Sequence, residues 1–327
     1  MQSLNSLKSN VFHVNELNFQ KYALELFIFQ FNNNKIYQYY VQNLGIDPKG
    51  VTSIDKIPFL PIQFFKQHKI TTGSFSPEQI FVSSGTTGNS SRHYMEDLKY
   101  YNKISAHIFC SYFGKLDQSV IIGLLPSYVE RGNSSLVYMV NHFIEESKNE
   151  NSGFYLDNYD SLAKKLEKLI KGNVAVFLFG VTFALLEFAK HVQFEKNKMV
   201  IIETGGMKGR GREIIREELH GKLSGAFNTG RIYSEYGMTE LLSQAYLQQD
   251  GFFHSPPWMR TFIREIHDPF NYVENGQTGV INVIDLANVH SCAFIETEDL
   301  GVQYENGFKV MGRMDNTDLR GCNLLFS

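Results

Sequence analysis

Residues 174–189 read VAVFLFGVTFALLEFA. The first six positions are apolar without a break, as in a strand buried on both faces. Gly180 offers a turn, and the residues after it fit an amphipathic helix. A bilayer span needs roughly 20 apolar residues. This run is shorter, and Gly180, Thr182 and Glu187 interrupt it. A strand followed by a helix is the unit from which parallel sheets are assembled.

The same alternation extends to both sides. Residues 199–203 and 119–125 are further apolar strands, and residues 79–83 form a short strand entering a Gly-rich turn. Helical spacing marks residues 99–113 and 136–144, with Ser134 placed to cap the second of these. It also marks Leu162, Leu166, Leu169 and Ile170, and then Ile214, Ile215, Leu219 and Leu223. The expected class is α/β, with parallel sheets and packed helices. After about Tyr233 the pattern shifts to short strands at 244–247, 261–266, 280–284 and 292–295, which suggest an appended antiparallel sheet or small barrel. Upstream, residues 15–45 read as helices rich in aromatics (Phe19, Tyr22, Phe29, Tyr39, Tyr40), which serve either as core or as the wall of an apolar ligand tunnel. Pro58 and Pro61 mark an extended segment.

Composition narrows the functional classes. The 327 residues are 43% hydrophobic, enough for a large core, so a disordered chain is excluded. Thirty-one basic against 34 acidic residues give a net charge of −3, so no positive field supports nucleic-acid binding. Three cysteines do not make a disulfide scaffold and suit a reducing cytoplasm, where the protein is expected. The start, MQSLNSLKSN, has no apolar core of a signal peptide. No zinc-type Cys/His spacing and no G-x-S-x-G elbow occur.

Two segments carry chemistry. Ser83, Ser84, Gly85, Thr86, Thr87 and Gly88 follow a strand, where α/β sheets bind ligands. Their glycines permit close backbone approach, and their hydroxyls and N–H groups suit phosphate oxygens. No lysine follows, so this is not a Walker A loop. The second segment runs from Tyr233 to Glu240 (YSEYGMTE). It offers an aromatic ring, a hydroxyl and a carboxylate, which could stack a base, bind a phosphate and hold Mg²⁺. Either segment alone also reads as an ordinary polar loop.

In this order the two segments resemble the adenylate-forming superfamily of acyl-CoA synthetases, peptide-synthetase adenylation domains and luciferases. Glu298-Asp299-Leu300-Gly301 resembles its T-x-D-x-G motif, and Gly312-Arg313-Met314-Asp315-Asn316 its hinge. Residues 125–131 (LPSYVER), 203–209 (ETGGMKG), 257–260 (PWMR) and 291–295 (SCAFI) are similar to the LuxE acyl-protein synthetases, with phenylacetate-CoA ligases next. The likeness covers residues from about Pro58 onward.

The resemblance implies the fold of the large N-terminal domain of these enzymes. Its expected parts are a helical and extended segment (1–75) packed on the main domain, an α/β core (76–232), a β-rich part completing the nucleotide site (233–311), and a shortened hinge and tail (312–327). The family's C-terminal lid and its lysine are expected to be absent, and Arg92, Arg131, Lys208 and Arg210 are candidate replacements for the missing charge. The implied reaction is ATP-dependent activation of a fatty or other apolar carboxylic acid with Mg²⁺, then transfer to a protein cysteine. The implied roles are phosphate binding by Ser83–Gly88 and Thr239, adenine contact by Gly205, Gly206 and Tyr236, Mg²⁺ at Glu240, and ribose at Asp299 and Arg313. Family enzymes carry the acyl group on a near-terminal cysteine, which matches Cys322, whereas Cys292 and Cys110 are expected in the core. A reductase or carrier protein could accept the acyl group. The alternatives are an acyl- or aryl-CoA ligase and a non-catalytic acyl-binding subunit.

Overall fold

Ala175–Val181 is a strand in which every residue after the first is buried, and the helix Thr182–Ala189 follows directly. Gly180 therefore lies inside the strand and not in a turn. Its missing side chain makes room for Leu185, because a Cβ there would stand 2.5 Å from Leu185 Cγ. The computed structural model describes residues 4–84, 90–126, 132–205 and 214–314.

The strands in chain order begin with β1 (Leu60–Pro61), β2 (Gln79–Val82), β3 (Arg92–Met95), β4 (Ser119–Leu124), β5 (Gly153–Tyr155), β6 (Ala175–Val181) and β7 (Val200–Thr204). They continue with β8 (Ile232–Tyr236), β9 (Ala245–Leu247), β10 (Phe253–His254), β11 (Met259–Arg264), β12 (Thr278–Asp285), β13 (Phe294–Tyr304) and β14 (Gly307–Arg313). Among the described residues the chain forms two units, one of those in 81–84 and 98–239, the other of those in 4–80, 90–97 and 240–314.

The first unit is a parallel sheet in the order β5-β4-β6-β7-β8. Its inner strands β4, β6 and β7 are almost wholly buried and mostly apolar, with polar side chains only at strand ends, as in a sheet covered by helices. Phe109, on the helix Leu98–Phe113, is the centre of an aromatic cluster, 5.0 Å from Phe143 and 5.1 Å from Phe177. Ser134 caps the helix Ser135–Ser147 by accepting from the Val137 amide. The helix Arg216–Phe227 begins later than its apolar stripe predicts. Leu219 and Leu223 are buried on it, but Ile214 and Ile215 precede it and Ile215 is 68% exposed. Cys110, expected in the core, is only half-buried.

The second unit is an antiparallel sheet in the order β11-β12-β13-β14-β10-β9, and β1 joins β13 in parallel. β13 starts at Phe294, so Cys292 lies in the buried approach to the strand and not within it. The N-terminal helices Phe19–Asn33 and Lys35–Asn43 belong to this unit. Of their aromatic residues, Phe19, Phe27 and Tyr37 serve as core, while Tyr22, Phe29, Phe31 and Tyr40 are half-buried and Tyr39 is exposed. Tyr37 stacks on Phe294 at 5.9 Å and donates its hydroxyl to the Pro58 carbonyl, while Phe19 and Phe27 are fully buried. The Gln30 amide donates to the Asn288 carbonyl and accepts from the Ala293 amide, tying helix to sheet inside the core. Tyr40, with Phe59, Phe270 and Tyr272, walls a cavity of about 490 Å³. Among the described residues no helix is long and apolar enough to cross a membrane.

Candidate functional site

In the antiparallel unit three separated segments bring Glu240, Asp299 and Arg313 into electrostatic range. β13 and β14 pair with Asp299 opposite Arg313, whose Nε stands 3.5 Å from Asp299 Oδ1. Arg313 is 73% exposed, so this ion pair contributes little to stability. Glu240 is buried, and burial pushes its carboxyl above the ordinary range. The Ser91 hydroxyl and the Arg313 charge pull it down, and Asp299 adds to the rise. A buried carboxylate beside a second one is a poor place for an unpaired negative charge and a suitable one for a cation.

Two residues that sequence reasoning missed hold Glu240 in place. The Asn288 side-chain amide donates to the Glu240 carbonyl at 2.8 Å. Asp285, fully buried, accepts from the Leu242 and Ser243 amides, the Ser243 hydroxyl and the Ala287 amide. Trp258 Nε1 in turn donates to Ser243 Oγ. In the sequence Asp285 and Asn288 are isolated polar residues in a mostly apolar stretch, with nothing to tie them to Glu240.

In the parallel unit the predicted residues cluster at the C-terminal ends of β7 and β8. Glu203 pairs with Ser234 in register, so Gly205 and Tyr236 leave the two strands side by side. Gly205 has φ of +79°, a conformation suited to glycine. Tyr236 is buried at the end of β8, and Thr239 is half-buried in the following turn. Ser83 and Ser84 follow β2, where Phe81 packs against Tyr101 and Tyr138 at 5.4 Å each. Gly85, Thr86, Thr87, Gly88, Gly206 and Cys322 lie outside the described residues, as do Arg131, Lys208 and Arg210. Arg92 is exposed on β3.

The two described cysteines are not activated thiols. Burial pushes Cys292 up to about 12, and its Sγ meets the Phe294 carbonyl. Burial also raises Cys110.

A family model for the acyl-protein synthetase LuxE matches residues 12–327. The chain belongs to the LuxE acyl-protein synthetase family. It is therefore a ligase-type enzyme. A long-chain-fatty-acid–luciferin-component ligase of Aliivibrio fischeri is 25% identical over 306 residues, covering 87% of this chain and 79% of that protein. Among solved structures, an open 2-hydroxyisobutyryl-CoA ligase holding 2-HIB-AMP and CoA superposes with a TM-score of 0.63 at 13% identity, over 91% of this chain and 70% of that one. ATP-bound MatB of Rhodopseudomonas palustris gives a TM-score of 0.53 at 19% identity over 72% of this chain, which spans about half of that enzyme (47%). These likenesses establish the adenylate-forming fold.

Proposed function

We propose that the protein activates a medium- or long-chain fatty acid with ATP and passes the acyl group to a protein thiol. The observation that carries this reading is the grouping of Glu240, Asp299 and Arg313 from three separate motifs in a chain of the acyl-protein synthetase family. A carboxylate oxygen attacks the α-phosphorus of ATP. The bond to the β-phosphate bridging oxygen breaks, and pyrophosphate leaves with the electron pair. The Cys322 thiolate then attacks the acyl carbon, the carbon–oxygen bond to AMP breaks, and the thioester remains. Arg320, two residues before Cys322, favours the thiolate.

The protein's part is orientation and charge placement. Ser83, Ser84, Thr86, Thr87 and Thr239 bind phosphate oxygens, while Gly205, Gly206 and Tyr236 flank adenine. Asp299 accepts from the ribose hydroxyls, and Arg313 orients Asp299. Among the described residues no three His, Cys, Asp or Glu side chains converge as a metal cage. One buried carboxylate, Glu240, fits Mg²⁺, which binds through few protein oxygens and substrate phosphates. When bound, the ion supplies charge neutralisation to the phosphates.

Pyrophosphate exchange with a panel of acids, and intact-protein mass spectrometry on the same samples, test the reading. Thr86→Ala and Glu240→Ala are expected to abolish most exchange, and Cys322→Ser to abolish the acyl mass gain while exchange continues. Apparent affinity is expected to rise about fourfold per methylene, from roughly 0.8 kcal/mol per buried CH₂. An optimum at acetate overturns the fatty-acid reading. Exchange without any adduct transfers the acceptor role to an external thiol.

A further inference from the structure

The ends of β7 and β8 carry polar groups that the proposed chemistry does not use. Successive strand residues face opposite sides of a sheet. On one side Glu203 accepts from Thr182 Oγ1 at 3.0 Å. His220 Nε2 lies 3.0 Å from Ser234 Oγ and 3.9 Å from Glu203 Oε1. On the other side Thr204 Oγ1 donates to Glu235 Oε2 at 2.5 Å, near Tyr101 of the helix Leu98–Phe113. Glu203 and Ser234 share a rung, and Thr204 and Glu235 follow them. The next residues are Gly205 and Tyr236.

Glu203 is costly to bury, yet it is kept ionised. Burial pushes its carboxyl up, but His220, Ser234, the Arg216 charge and Thr182 outweigh that and leave it below the ordinary range. Its partners come from three elements: the start of the helix Thr182–Ala189, the helix Arg216–Phe227, and β8. A buried charge with that many donors rigidifies the groups it joins. Here it joins both chain segments that lead into the predicted adenine residues.

We propose that Glu203 with His220 and Ser234, and Thr204 with Glu235, clamp the ends of β7 and β8 and so act as positioning residues for the nucleotide base. The proposal rests on the adenylation reading. Loosening the clamp costs nucleotide binding before it costs chemistry, because Gly205 and Tyr236 sit on the base and not at the reacting phosphorus.

The experiment uses the full chain carrying Glu203→Gln, with Ser234→Ala as the milder variant should the first not fold. Amide hydrogen exchange of the unliganded protein is measured alongside exchange kinetics with ATP and acid varied separately. The expected result is faster amide exchange at residues 203–205 and 234–238 with wild-type protection elsewhere. The KM for ATP is expected to rise about tenfold, with kcat and the KM for acid within twofold. Wild-type protection at those amides overturns the clamp. So does a fall in kcat with unchanged KM for ATP. A wild-type protein that exchanges no pyrophosphate with any acid overturns the adenylation reading instead, while the amide measurement still decides whether the clamp exists.

Discussion

Glu203 and Glu235 stand one rung apart on adjacent strands and are governed by opposite outcomes. For both, burial is the largest influence on the carboxyl. Glu203 nevertheless falls below the ordinary range, whereas Glu235 is pushed up to about 7. The difference lies in their neighbours. Glu203 has two hydroxyls, a histidine and the Arg216 charge. Glu235 has the Thr204 hydroxyl and feels the negative charge of Glu203. Donor count and the nearest cation decide the ionisation state once burial is comparable. The first carboxylate is a fixed anion, the second a proton-holding group near neutrality.

The largest expected effect breaks the first half of that contrast. Glu203→Ala leaves Arg216 without its buried counter-charge and takes the acceptor from Thr182, while Ser234 keeps only His220. Removing one partner of a buried charged network costs about 3–5 kcal/mol. Urea unfolding at neutral pH measures it. A loss below about 1 kcal/mol would show that the carboxylate is not what holds this face together.

Glu235→Gln tests the second half. The folded-state value of about 7 lies above the ordinary 4.5. The folded protein therefore favours the protonated form. That contribution is fully present below about pH 4.5 and is lost as pH rises through 7. At 1.36 kcal/mol per unit it amounts to at most about 3 kcal/mol. The wild-type protein is expected to lose stability between pH 5 and 8, and Glu235→Gln to flatten that slope. Parallel slopes in the two proteins would place the titration elsewhere.

Much of the fold was readable from periodicity, because strands covered on both faces must be apolar and helices must present a stripe. What escaped was decided by contacts distant in sequence. Gly180 looked like a turn because glycine is permissive, but Leu185 packing on the strand uses it. Ile214 and Ile215 continued an apolar stripe that the helix itself does not include. The aromatic residues of the N-terminal helices were legible as core or tunnel, and Phe294, more than 250 residues away, decides for core at Tyr37. The motif residues Glu240, Asp299 and Arg313 stood out by their order along the chain. Asp285 and Asn288, which hold Glu240, have no local signature, since the groups they hold there are mostly backbone, up to 48 residues off.

The smallest effect sharpens the comparison of the two carboxylates. Thr182 is buried at the first turn of its helix and gives Glu203 one hydrogen bond. Thr182→Val keeps the shape and deletes the donor. The remaining donors and Arg216 still satisfy the carboxylate, so the loss is expected near 1 kcal/mol, the net worth of one hydrogen bond. Thr182→Ser, which keeps the hydroxyl, is expected to retain most of that contribution apart from a methyl group. Urea midpoints of the two variants at unchanged slope supply the measurement. No loss in Thr182→Val together with a loss in Thr182→Ser would mean that the methyl matters and the hydroxyl does not. The anion on this face would then rest on His220, Ser234 and Arg216 alone, and the contrast with Glu235 would come down to the nearby cation.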